Sequence, residues 1–219
     1  KSKAFGDNMY HVLSWIRAGE IKAANIETAT FHKNKFKENL EIIRNLTLEL
    51  PEQFEPEMKK LCAESGVSLV FLPEFEKTHL SGVTKWIGQD KALIIMSLRY
   101  KTNDHFWFTF FHEAGHILLH GKKQIFIDEL KDNNGDDQEE EANRFASSIL
   151  IPESKYKEFK QKSSFGKNDI VLFAKKIKIH PGIVVGRLQH DKIIEYRSYN
   201  DLKDRFEFKG IIDKKNYKK

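Results

Sequence analysis

Two histidines and two carboxylates carry the reactive potential of this chain. In His112-Glu113-Ala114-Gly115-His116 the imidazoles stand four residues apart, so on a helix both project from one face and can share a metal ion. Neutral imidazole suits Zn2+. Glu113 follows the first histidine, where it can take a proton from a water polarised by the metal and later deliver it to a leaving amine. That pattern offers peptide-bond hydrolysis. Nine histidines occur in the chain, so chance can produce the spacing and the context has to decide. Phe106, Trp107, Phe108, Phe110 and Phe111 precede the motif, and Ile117, Leu118 and Leu119 follow it. Such a helix is apolar nearly all round and must be buried. Burying two imidazoles and a carboxylate without partners is costly. A shared metal satisfies them; two core histidines bonded to backbone groups are the weaker alternative.

A catalytic zinc site needs a third protein ligand and one open position. The three-histidine class would place Gly at 119 and His at 122, where this chain has Leu119 and Lys122. His120 lies two turns from His112 and would point past a metal held by the first pair, so it reads as a supporting or structural group. A second helix is expected near 137–151, its buried face marked by Ala142, Ala146, Ile149 and Leu150. Glu139 shares that face, whereas Glu141 lies nearly opposite and Glu140 between. The last two read as solvated charges near a helix N-terminus. Glu139 is therefore the expected third ligand. Asn143, four residues on, could hydrogen-bond a ligand histidine or orient the carboxylate.

The elements that must hold these groups are legible in outline. The first ~65 residues read as helices, with apolar positions at Tyr10, Val12, Leu13 and Ile16 and again at Phe36, Leu40, Ile43 and Leu50. Pro51 can open a helix that ends by Gly66. A β-like run follows at 67–71, then two more at 83–87 and 92–96 around the turn Gly88-Gln89-Asp90-Lys91. Asn103 or Asp104 is placed to cap the long apolar helix, which runs to about His120 with Gly121 as its stop. A brief strand at 124–127 and a polar loop with Asn133-Asn134-Gly135 lead to the second helix, ended by Pro152. The expected fold is α+β: a small, mostly antiparallel sheet packed against the metal helix and the second ligand helix, with flanking helices. The strand at 83–87 is a candidate edge for pairing with an extended peptide, or an ordinary sheet strand. For an oxyanion-polarising group, His180, Tyr100, Tyr156 and Arg187 qualify by residue type only.

Composition excludes several classes. The chain is 40% hydrophobic and 32% charged, ordinary for a globular protein. Charges interrupt every apolar stretch before membrane-spanning length, and no leader of the secretory type stands out. Cys62 is the only cysteine, which excludes intramolecular disulfides and multi-thiolate zinc sites and points to the cytoplasm. The net charge is +5 and unevenly spread. Residues 128–141 are acidic and residues 153–178 are lysine-rich; the latter reads as a solvated helix face. Residues 168–190 could form a helix-turn-helix. Its second helix offers mainly Ile183, Val184, Val185 and Leu188, which cannot read base edges, so direct DNA binding by this chain is not expected. The tail 214–219 reads as a frayed terminus.

With both motifs in hand, the chain resembles the ImmA/IrrE family of zinc metallopeptidases. The resemblance rests on Phe-His-Glu-Ala-Gly-His-Ile-Leu-Leu-His at 111–120 and Glu-Ala-Asn-Arg-Phe-Ala-Ser-Ser-Ile-Leu-Ile-Pro at 141–152, with Pro-Gly-Ile-Val-Val-Gly-Arg-Leu-Gln at 181–189. It looks continuous from about residue 55 to 190. It implies a gluzincin-like site: His112, His116 and Glu139 on Zn2+, Glu113 as base, and a protein or peptide substrate. Family members often follow an Xre-type helix-turn-helix domain or act on a separate repressor carrying one, in phage, mobile-element, stress-response and antitoxin-like regulation. This chain shows no obvious Xre domain, and its start at Lys1 suggests that one precedes it in a parent protein. The expected organisation is a helical segment at 1–54, a zinc metallopeptidase domain at 55–190, and a C-terminal extension with a basic tail at 191–219. The competing expectation is a transcription regulator or sensor whose zinc domain binds a partner or ligand without turnover.

Overall fold

The computed structural model describes residues 3–76, 78–121, 126–127, 135–162 and 164–207. Expectations that fall on 122–125, 128–134 and 208–219 lie outside the described residues. Three helices come first: α1 (Lys3–Ala24), α2 (Lys33–Asn45) and α3 (Pro51–Ala63). Strands β1 (Val67–Phe71), β2 (Gly82–Trp86) and β3 (Ala92–Met96) lead into α4 (Asn103–Leu119). The two-residue β4 (Phe126–Ile127) precedes α5 (Gly135–Leu150), α6 (Glu153–Lys160), α7 (Lys167–Ile177) and α8 (Pro181–His190). The fold is α+β, with strand order β1-β3-β2-β4. β1 runs parallel to β3, and the other two pairings are antiparallel.

Both faces of this sheet are covered. Successive side chains of a strand point to opposite faces, and all five residues of β3 are buried. Leu93 and Ile95 face α1, joining Val12, Trp15, Ile16 and Ala23. Ala92, Ile94 and Met96 face the larger core, formed with α2, α3 and α4. The helical phase of α1 is thus set by Val12, Trp15, Ile16 and Ala23; Tyr10 and Leu13, expected among its apolar positions, are exposed. Leu50 is exposed as well, standing just before α3 as its N-cap.

Two further expectations are corrected. β2 is not an edge strand: β3 pairs along its whole length, and β4 pairs with Val83 and Thr84 on its other side. The N-cap of α4 is Thr102, not Asn103 or Asp104. The cap is supplied from far along the chain, because the Asn103 N–H donates to Asp204 O (3.0 Å) and the Phe206 N–H to Lys101 O (2.8 Å). Phe206 then enters a cluster with Phe54 and Phe106, at ring separations of 5.3 Å to each. Such aromatic pairs contribute ~0.5–1.5 kcal/mol each beyond their buried area, so the segment at 204–206 anchors the start of the metal-motif helix.

Residues 168–190 do contain two successive helices, α7 and α8. α8, however, turns Ile183, Val184, Val185 and Leu188 into the core and packs on α4. Its apolar face is already occupied. Among the described residues no helix is long and apolar enough to cross a membrane.

Candidate metal centre

α4 is buried on nearly every side, from Phe106 to Leu118, and His112, Glu113 and His116 are buried with it. α5 lies against it closely enough that a Cβ on Gly115 would come within 3.2 Å of both Ala142 Cα and the Phe145 ring. That close approach brings Glu139 to the histidines. Arg44 of α2 holds the far end of α5, donating to Ile149 O (2.6 Å) and Leu150 O (3.0 Å) and also to Ile177 O at the end of α7 (2.8 Å). A cation on these terminal carbonyls satisfies groups that a helix end leaves open.

Three donor atoms converge. His112 Nε2 and His116 Nε2 are 3.0 Å apart, and the Glu139 carboxylate oxygens lie 3.2 and 3.3 Å from them. With metal–ligand bonds near 2.0–2.1 Å, tetrahedral ligand atoms sit about 3.3 Å apart. The observed spacings match this closely, and the N,N,O donor set suits zinc.

The outer nitrogens of both imidazoles are engaged in ways that leave Nε2 facing inward. His112 Nδ1 lies 2.9 Å from Asn143 Oδ1, so the Nδ1–H donates and the lone pair stays on Nε2. His116 Nδ1 lies 2.9 Å from His120 Nδ1, and His120 Nε2 lies 3.2 Å from Glu141 Oε2. A consistent chain results: His116 Nδ1–H donates to His120 Nδ1, and His120 Nε2–H donates to Glu141. Burial depresses the His120 imidazole below its ordinary pKa despite Glu141, which keeps it neutral and able to accept. Glu141 is therefore more than a solvated charge. A helical wheel of α5 could not have shown this, because His120 comes from the end of α4. Glu140 is exposed and pairs with Arg144 on its own helix (3.4 Å).

Glu113 leaves α4 on the side of β2, where Thr84 Oγ1 donates to its backbone carbonyl (3.1 Å). Gly82 makes room for its side chain: a Cβ there would lie 2.5 Å from Glu113 Oε1 and 2.8 Å from Thr109 Cγ2. Sequence reasoning passed over Gly82, which had no pattern to mark it. Gly82→Ala should displace the Glu113 carboxylate before it strains the fold, because the side-chain end yields more easily than backbone. We expect kcat to fall at least tenfold while the melting temperature drops only a few degrees. Paired turnover and melting measurements check this; a melting loss without a kcat loss would contradict it.

The four residues considered as polarising groups are each engaged with other partners. His180 caps α8, with Nδ1 2.6 Å from Asn103 Nδ2 and Nε2 3.1 Å from Asp204. Asn103 is nine residues before His112, roughly 13 Å along the helix at 1.5 Å per residue. Tyr100 stacks on His105 with ring centres 4.4 Å apart. The Tyr156 hydroxyl donates to Asp191 (2.8 Å), as does Arg187 Nε (3.0 Å).

A family model described as Peptidase_M78, the IrrE N-terminal-like domain, matches residues 62–189. The chain belongs to this family. The matched span runs from the end of α3 to the end of α8, so it includes the sheet and both helices that carry the candidate donor group. No curated protein matches the sequence. Membership gives a metallopeptidase-type function with a protein substrate, and His112, His116 and Glu139 form a group that could hold a metal ion.

Proposed function

We propose that this chain is a zinc-dependent endopeptidase that cuts a regulatory protein, namely a helix-turn-helix repressor or an antitoxin-like partner. The observation that carries the reading is the convergence of two imidazole nitrogens and one carboxylate at tetrahedral spacing, beside a buried glutamate that is not part of the trio. When bound there by His112, His116 and Glu139, zinc supplies Lewis acidity, polarising a carbonyl and bringing the pKa of a water toward neutrality.

The chain's own residues supply the rest. Glu113 accepts a proton from the attacking water and returns it to the departing amide nitrogen, so that the new carboxyl and amine leave in balance. Asn143, and His120 with Glu141 behind it, fix the tautomers and ring planes of the ligand histidines. We assign the peptidase domain to 55–190, with 1–54 and 191–219 flanking it, and place the protein in the cytoplasm, where a single buried Cys62 is in keeping with a reducing setting. The buried apolar face of α8 argues for a protein substrate over direct DNA contact.

Removal of metal tests the reading. The zinc-loaded protein should cut helix-turn-helix repressors of its own genome at a defined site seen by intact mass. Chelation should abolish the cut, and one equivalent of Zn2+ should restore it. A full set of such repressors left intact by the zinc-loaded protein would sink the substrate assignment.

A further inference from the structure

A cleft of about 200 Å3 lies along α4 at Asp104–Phe108, on the N-terminal side of the metal centre, and none of the three donor residues lines it. Its first wall is Phe108, one turn before His112, whose ring stacks toward the His112 ring at 6.2 Å and 29°. Its second wall is α5, where Ser147 follows Asn143 by one turn and Leu150 comes next. Ile183 of α8 closes the floor. The cleft and the donor trio thus lie on the same two helices about one turn apart, Phe108 being four residues before His112 and Ser147 four after Asn143.

Size and charge limit what it can hold. Pockets for free small molecules usually enclose ~300–1,000 Å3, and this one is smaller, closer to a single large side chain. The charges around it are already matched. At the deep end Lys203 Nζ donates to Asp104 Oδ2 at 2.6 Å, both side chains being more than nine-tenths buried. At the rim Arg187 is bonded to Asp191 and lies over the Tyr156 ring at 4.6 Å. His105 is depressed below its ordinary pKa by burial and stays neutral. A charged side chain entering here would lose water without gaining a counter-ion.

We propose that this cleft is the specificity pocket of the peptidase and takes one large uncharged apolar side chain of the substrate, from a residue flanking the scissile bond. The inference rests on the metallopeptidase reading, and its test separates the two. Phosphinic dipeptide analogues, in which a phosphinate replaces the scissile amide, bind a zinc site without turnover. Three are needed, with Gly-Gly, Phe-Gly and Gly-Phe side chains, titrated into the zinc-loaded protein by calorimetry.

One of the two Phe analogues should bind ~10- to 100-fold tighter than the Gly-Gly analogue, the gain expected for burying one large apolar side chain. Ser147→Trp and the milder Ser147→Met, which fill the pocket mouth, should remove most of that gain. Ser148→Trp, on the exposed side of α5, should leave it intact. Equal affinity for all three analogues, or a gain that survives both Ser147 variants, would overturn the pocket. A side-chain preference in a protein that cuts nothing would keep the pocket and remove the peptidase; cutting without any preference would do the reverse.

Discussion

Glu113→Gln should leave about one zinc per chain in place and lower kcat by ~100- to 10,000-fold, with KM little changed. Glutamine keeps the size of the side chain and its place against Gly82 and Thr109, so the packing between α4 and β2 survives. What it loses is basicity. The group at near-tetrahedral spacing is His112 Nε2, His116 Nε2 and the Glu139 carboxylate, which turns one oxygen to each ring, and Glu113 is rotated about 100° from His112 on the helix, toward the sheet. Its carboxylate is therefore a proton carrier in this reading, and metal content should be blind to its replacement. Metal analysis and steady-state kinetics on the same preparation check both halves. Full turnover in the variant would remove Glu113 from the mechanism, and loss of zinc would make it a ligand.

The parts of this site that the sequence displayed are those governed by a single helix. The four-residue step between His112 and His116 and the shared face of Glu139, Ala142 and Ala146 depend only on 3.6 residues per turn, and both donor helices formed where that periodicity placed them. What stayed hidden was set between elements. Asn103 and Asp104 have good capping side chains, but the helix already begins at Asn103, after Thr102 as its N-cap, and a backbone carbonyl of Asp204 takes the first N–H. β2 lost its edge to a two-residue strand more than forty positions away. Glu141 and Arg44 matter through partners 21 and 105 residues distant. Gly82 carries no side chain for a pattern to register. Local periodicity reports which face a residue shares, and only tertiary packing reports what waits on the other side.

That division predicts a graded response in metal affinity. His112→Ala deletes one of three protein donors and also strips Asn143 of the N–H it accepts, so bound zinc should fall from about one per chain to near zero in gentle purification. The wild-type chain should also gain stability from metal that binds only the folded state, about 4 kcal/mol when free zinc is a thousandfold above Kd. In His112→Ala the zinc-dependent rise in melting temperature should vanish. Asn143→Ala keeps all three donors and removes only the partner that holds the His112 ring, so a loss of ~10- to 100-fold in affinity is expected. Glu141→Ala acts one step further out, through His120 to His116, and should cost less than Asn143→Ala. Glu140→Ala, on an exposed residue paired only within α5, sets the baseline. Competition titrations with a chromophoric zinc chelator rank the four variants. If Glu140→Ala and Asn143→Ala weakened zinc equally, the hydrogen bond from the His112 ring would have no part in holding the metal.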